Sequence, residues 1–235
     1  MTNQKQEKSL KEQYIESQKN AFFREVQEDV QAEKVAIFWH KYKRYIISTI
    51  IAILIITIVK NWYQSYKFNT SMKQAVQFEK IISATNVSAD NKIIELEDFA
   101  KSAKFGYQDI AYFNIYSLAI ENKNYEMAIK TLEKIVNDSS DTTFSNLAII
   151  KIGSLISSLP EKEFEKITKK LESIGKKEPF YNIAQFILGS IYTKQNEFTK
   201  AHEIFEKISN DFSAPVSIKS QSLTMLNYVK SKQSK

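Results

Sequence analysis

The chain has 235 residues with 33 Lys+Arg, 27 Asp+Glu, 4 Gly, 3 Pro and no Cys, where average usage would give roughly 16 Gly and about 12 Pro. So few turn formers argue against all-β and α/β folds, and the lack of Cys excludes disulfide frameworks, thiolate metal sites and cysteine nucleophiles. The net charge of +6 is spread over interleaved Lys, Asp and Glu with Arg24 and Arg44 as the two arginines, which reads as solvated surface and not as the basic stripe of a nucleic-acid binder.

Residues 1–21 are polar and are predicted to form a disordered tail. From Phe22 the text changes. Phe22, Val26, Val30, Ile37 and Trp39 recur near helical spacing, with Glu25, Glu28, Asp29, Glu33 and Lys34 elsewhere on the wheel. This predicts an amphipathic juxtamembrane helix over 22–44, either a docking helix for a membrane partner or bilayer surface, or a solvated lead-in.

Residues 45–59 carry no charge. Extended through 63, at about 1.5 Å rise, the stretch reaches roughly 28 Å, the hydrocarbon thickness of a bilayer. Trp39, Tyr42 and Tyr45 flank one end and Trp62, Tyr63 and Tyr66 the other, as an interfacial belt does, while Lys41, Lys43, Arg44 and Lys60 can snorkel to headgroups. The charged stretch ahead of the apolar core is too long for a cleaved signal peptide, and the segment reads as a signal anchor. Lys34, Lys41, Lys43 and Arg44 on the N-side against Lys60, Lys67 and Lys73 on the C-side favour a cytoplasmic N-terminus and a C-terminal domain outside.

Residues 64–235 read as helices of about 12–18 residues in antiparallel pairs. Polar joints at 86–91, 122–124, 137–142 and 210–214 separate them, and Pro160, Pro179 and Pro215 suit first turns. Residues 115–136 align without a gap on 188–209, matching Tyr125 with Phe198, Ala128 with Ala201 and Leu132 with Phe205. A degenerate unit lies between, where Phe164, Ile167, Leu171 and Ile174 match Phe198, Ala201, Phe205 and Ile208. Leu188, Gly189, Tyr192, Phe198, Ala201 and Phe205 resemble the tetratricopeptide signature, in which small residues let two helices approach and aromatics fill the gaps. Gln185 stands at its first aromatic, Ser213 at its closing proline, and Tyr116 at the glycine position of the earlier unit. The predicted class is all-α: a single N-terminal transmembrane helix followed by a tetratricopeptide-like α-solenoid of antiparallel helix pairs. Residues 66–104 should form its first end and 215–230 its capping helix, with Val216, Leu223, Leu226 and Val229 facing inward.

His40 and His202 are the two histidines, the glycines are scattered, and no nucleophile elbow or metal-ligand spacing occurs. Pairs such as Glu95/Glu97 and Glu161/Glu163 read as solvated helix faces, and the sequons at Asn69, Asn86 and Asn137 as chance. The reading is a non-catalytic binding module with no cofactor or metal. Tyr112, Tyr116, Tyr181 and Phe186, on the first helices of the repeats, are the candidates for a concave partner-binding face, with core packing as the competing explanation.

Phe23-Arg24-Glu25-Val26, Glu28-Asp29-Val30, Glu33-Lys34 and Phe38-Trp39-His40-Lys41-Tyr42, followed by one span and degenerate repeats, resemble the YfgM-type inner-membrane proteins, ancillary subunits of the Sec translocon. The resemblance covers most of 22–235. It implies a single-pass inner-membrane protein with a periplasmic repeat domain. It further implies association with the SecYEG channel and a membrane-anchored periplasmic chaperone of the prolyl-isomerase type, and transfer of newly translocated client chains to chaperones. Two rival readings are an envelope-assembly or cell-division scaffold and a cytosol-facing adaptor of reversed topology.

Overall fold

A computed structural model describes residues 2–159 and 164–233, with side chains from Ala36 onward. Nine helices make up the regular structure among these residues: α1 (Thr2–Ser83), α2 (Ala89–Ser102), α3 (Tyr107–Glu121), α4 (Tyr125–Asp138), α5 (Thr142–Ser158), α6 (Phe164–Glu172), α7 (Tyr181–Lys194), α8 (Phe198–Asn210) and α9 (Val216–Gln233). They divide into two compact units, residues 1–66 and 67–235.

In the first unit the backbone is helical from Thr2, where a disordered tail was expected over 1–21. No Gly or Pro interrupts that stretch, and its Lys, Glu and Gln are good helix formers. The side chains of the amphipathic pattern from Phe22 to Lys34 lie outside the described residues. Further along α1 is the one described helix long and apolar enough to cross a membrane, with a mean hydropathy of 1.9 and none of its apolar window buried. Ile50, Ile51, Ile53, Leu54, Ile55 and Ile56 are all exposed. Such an all-round apolar surface suits lipid and not water. Its hydroxyls are satisfied within the helix: Ser48 Oγ and Thr49 Oγ1 donate to Tyr45 O, and Thr57 Oγ1 to Ile53 O, at 2.8–2.9 Å.

In the second unit each helix pair repeats one local design. The turns α3–α4 and α7–α8 are superimposable in their bonding: Asn124 N–H donates to Ala119 O and Glu197 N–H to Tyr192 O, at 2.8 and 2.9 Å. Each turn holds one residue in the left-handed region, Lys123 at φ 57° and Asn196 at φ 61°, which closes the first helix so that the second can fold back on it. The second helices α4, α6 and α8 open on Tyr125, Phe164 and Phe198. They then bury Ala128, Ile167 and Ala201, next Leu132, Leu171 and Phe205, and finally Ile135, Ile208 and, just past the end of α6, Ile174. These positions, i+3, i+7 and i+10 from the opening aromatic, form one stripe. The first helices carry a small buried residue in common register, Ala111, Ala148 and Ala184, each fully buried.

Ahead of α3, the end of α1 pairs with α2. Phe78 packs on Phe99 and Tyr107 at ring separations of 6.0 and 6.4 Å. The buried Gln74 accepts from Lys104 N–H at 2.8 Å. At the other end, α9 corrects two expectations. Leu226 and Val229 are buried, but Val216 is 84% exposed and Leu223 50%. The inward stripe instead runs through Ser222, Met225, Leu226 and Val229. Ser222 occupies the small-residue register of Ala184, so α9 packs as a further first helix. Pro215 stands before α9 and its carbonyl accepts the first bond of that helix, from Lys219 N–H at 3.0 Å. Pro179 is not in a first turn, since α7 begins at Tyr181 with Phe180 as N-cap. Pro160, Glu161 and Glu163 lie outside the described residues.

Candidate functional site

The α7–α8 pair shows why its signature residues are needed. A methyl placed on Gly189 would lie 2.8 and 2.9 Å from Cε1 and Cζ of Phe205. Phe205 is fully buried and packs on Phe186, with ring centroids 5.6 Å apart, so it has no room to yield. Leu188 and Ala201 are buried beside it, and Phe198 is half-buried. The Tyr192 hydroxyl donates to Glu172 Oε1 at 3.0 Å, while Lys200 Nζ sits 5.0 Å from the ring centre. Burial, then the Glu172 carboxylate, raise the Tyr192 phenol above its ordinary pKa. In α4, Ala128 and Leu132 are fully buried, but Tyr125 at the helix start is exposed.

The sequence reading missed the counterpart of Gly189 in the middle repeat. It is Gly153 of α5, whose added methyl would meet Ile187 Cγ2 at 3.0 Å and Leu171 Cδ1 at 3.2 Å. No glycine-aromatic signature surrounds it, so only the packing reveals its role.

The four aromatic candidates part company. Tyr112 is buried, with Lys134 Nζ 5.3 Å from its ring centre, as its competing explanation of core packing would have it. Phe186 is half-buried and packs on Phe205, at the edge of the core shared with α8 and α9. Tyr116 is half-buried under Lys151, 4.9 Å from its ring centre, and burial pushes its phenol pKa up. Tyr181 opens into a depression of about 680 Å³ that it shares with Gln185, Ile204 and Phe212.

A depression that no sequence motif announced lies among α4, α5 and α6, with a volume of about 790 Å³. Ile129, Ile152, Ile156, Phe164 and Ile167 floor it. Its rim is charged: Lys130 pairs with Glu126 at 2.8 Å, and Lys166 of α6 reaches Glu133 of α4 at 2.7 Å. Its cause is legible in the repeat register. Ile156 stands three residues after Gly153, where Tyr192 follows Gly189. In the last repeat Tyr192 spans from Glu172 to Lys200 and leaves about 350 Å³. Ile156 is too short to do the same. An apolar floor with a paired ionic rim can accept apolar side chains of another chain without committing to one sequence.

On α1 the interface candidates Trp39, Tyr42, Trp62 and Tyr63 are exposed. Phe38 packs on Tyr42 at 4.9 Å, with Lys41 Nζ 5.4 Å from the Tyr42 ring, and Trp62 stacks on Tyr66 at 6.1 Å. Lys43 is half-buried and Arg44 exposed. Amphipathic rings in i,i+4 pairs with long cations beside them are what a headgroup region accommodates.

Over 166 residues the chain is 24% identical to a protein of Buchnera aphidicola subsp. Acyrthosiphon pisum named ancillary SecYEG translocon subunit, covering 70% of this chain and 84% of that one. No solved structure matches. The tetratricopeptide repeat-like domain family matches residues 37–225, from the edge of the span into α9. With its helix pairs, shared turns and small-residue contacts, the chain belongs to the tetratricopeptide repeat-like domain family.

Proposed function

We propose that the protein is a non-catalytic, membrane-anchored ancillary subunit of the Sec translocon, of the YfgM type, with its repeat domain in the periplasm. The observation that carries this reading is the union in one chain of an apolar span with a helical array that keeps an apolar depression open. The similarity to the Buchnera aphidicola translocon subunit supports it. An unfolded chain leaving a channel exposes apolar side chains in no fixed order. The floor of Ile129, Ile152, Ile156, Phe164 and Ile167 offers them burial at about 25 cal/mol per Å², enough for brief capture and ready release. The span tethers that surface beside the channel and so raises its effective concentration there. Release to a membrane-anchored chaperone of the prolyl-isomerase type completes the role.

The test is site-specific photo-crosslinking in cells, with the probe placed along residues 22–66 and, separately, at Ile129 in the depression. Translocon subunits should be recovered from the first set, and a stalled translocating chain from the second. Recovery of septal or outer-membrane assembly proteins in place of translocon subunits would overturn the reading. So would a repeat domain that resists external protease in spheroplasts, because it would then face the cytosol.

A further inference from the structure

Charge is one-sided around the apolar part of α1. Between Glu33 and Glu79 the chain holds Lys and Arg but neither Asp nor Glu. The two ends of the uncharged stretch 45–59 are not alike. Ahead of it Lys41, Lys43 and Arg44 stand together, whereas behind it Lys60 is followed by Asn61, Trp62, Tyr63 and Gln64. The next cation, Lys67, has its Nζ 5.7 Å from the ring centre of Phe105.

Helical register sorts the first cluster into faces. His40 and Arg44 are four residues apart and Lys41 and Arg44 three, so these side chains share one face, and all are exposed. Tyr42, packed on Phe38 at 4.9 Å, has Lys41 Nζ 5.4 Å from its ring centre. An ammonium resting against a ring keeps its remaining N–H donors for an anion. The acid that precedes the cluster on α1, Glu33, is eight residues from Lys41 and eleven from Arg44. Both separations exceed the three- or four-residue spacing at which charges on a helix pair.

Position along the helix decides what meets this face. Arg44 adjoins Tyr45, where the uncharged stretch begins, and Lys41 is one turn farther out, about 4.5 Å. Where α1 crosses a bilayer, that depth is the headgroup layer, which extends about 5–7 Å beyond the hydrocarbon. A guanidinium offers two parallel N–H groups to a phosphate, and an ammonium adds a point charge beside them. A zwitterionic headgroup brings its own cation against such a cluster, and an acidic phospholipid does not.

We infer that Lys41 and Arg44, with His40 beside them, form a binding site for the phosphate of an acidic phospholipid in the leaflet at the N-terminal side of the span. The inference rests on the membrane anchoring proposed above and is independent of the translocon role and of the α4–α6 depression.

The test uses the full chain in phosphatidylcholine vesicles, with one Trp left at each edge of the span in turn. Tyr45→Trp with Trp39→Phe and Trp62→Phe reports the N-side, and Trp39→Phe alone leaves Trp62 to report the other. Phosphatidylglycerol or phosphatidylcholine carrying a nitroxide high on one acyl chain is the quencher. At the N-side reporter phosphatidylglycerol should quench as though about fivefold enriched over phosphatidylcholine, and the preference should fall as salt is raised. At Trp62 it should be below about twofold. Lys41→Gln with Arg44→Gln should remove the N-side preference, while Lys60→Gln should leave it. Equal quenching by the two lipids at the N-side, a preference as large at Trp62, or one that survives the double substitution overturns the inference. A preference lost in inorganic phosphate, but not in sodium chloride of equal ionic strength, also overturns it and assigns the cluster to a free phosphate ion. Extraction of the chain from the vesicles by an alkaline wash would instead refute the span, and the inference with it.

Discussion

The middle repeat, α5–α6, and the last repeat, α7–α8, are built on one frame and finished differently. Both keep a glycine where the pair closes, Gly153 and Gly189, and both bury the same stripe of their second helix. They differ in the filler three residues on. Tyr192 ties Glu172 to its own ring and to Lys200 above it, whereas Ile156 leaves Glu133 to pair directly with Lys166. The depression beside Ile156 is about 790 Å³ and that beside Tyr192 about 350 Å³. Departure from the signature has left the stack intact and opened its surface. A poor match to a repeat consensus is therefore, at this point, the source of the candidate binding surface.

The largest effect should come from the frame of the last repeat. Phe205→Ala empties a fully buried site shared by α7, α8 and α9 and should cost about 3–5 kcal/mol in denaturant unfolding of the full chain. A loss below about 1 kcal/mol would mean the frame is not what holds this end together. The two glycines come next. Gly189→Ala should cost about 1–3 kcal/mol because Phe205 is boxed in. Gly153→Ala should cost less, because its closest contact, Ile187 Cγ2, stands at 3.0 Å against 2.8 Å at Gly189. The reverse order would break the comparison.

A gain is expected at α9, where Ser222 takes the place of the alanines. Its buried hydroxyl oxygen has no hydrogen-bond partner among the described residues. Ser222→Ala should raise stability by about 1 kcal/mol, read as a higher unfolding midpoint.

In the first full repeat, Asp109 of α3 is buried and accepts from Ser139 Oγ at 3.1 Å. Burial holds its carboxyl above the ordinary range, with the Ser139 hydroxyl pulling the other way and Asp141 adding to the rise. The folded chain thus binds this proton more tightly than the unfolded one. The stability it confers is present below the ordinary carboxylate pKa and is lost as pH rises through the folded-state value. Asp109→Asn should remove that loss, so its advantage over the parent should grow from acid toward neutral pH in melting curves. An advantage that shrinks on the same path would reverse the assignment.

A small change in stability, at most about 1 kcal/mol, is expected for Ile156→Tyr, which gives the middle repeat the filler of the last: the site is buried but borders open space into which the longer side chain can extend. Crosslinking of a stalled chain through a probe at Ile129 should nevertheless fall several-fold. Unaltered crosslinking would separate the depression from client binding.

The helix long and apolar enough to cross a membrane, the helical class and the repeat at Leu188–Phe205 were legible in the residues because their signals are local. An uncharged stretch, a scarcity of Gly and Pro, and i+3, i+7 spacing need no knowledge of what lies opposite. The cap was read a fraction of a turn out of phase: Leu226 and Val229 were placed inward correctly, but the weight of Val216 and Leu223 drew the face toward them. The true stripe passes through Ser222, a polar residue chosen for size. Tyr112 and Phe186 were open to two explanations because an aromatic on a first helix suits a core or a surface equally well, and only the neighbours decide.

The sequence by itself determined that this is a helical array behind one apolar segment, since backbone propensity and hydrophobic period are properties of consecutive residues. Tertiary structure alone decided where surface is left open, as in the depression at Ile156, and what Gly153 does in the packing. Each depends on whether side chains from separate helices meet, and that is set by their lengths across a gap and not by their order along the chain.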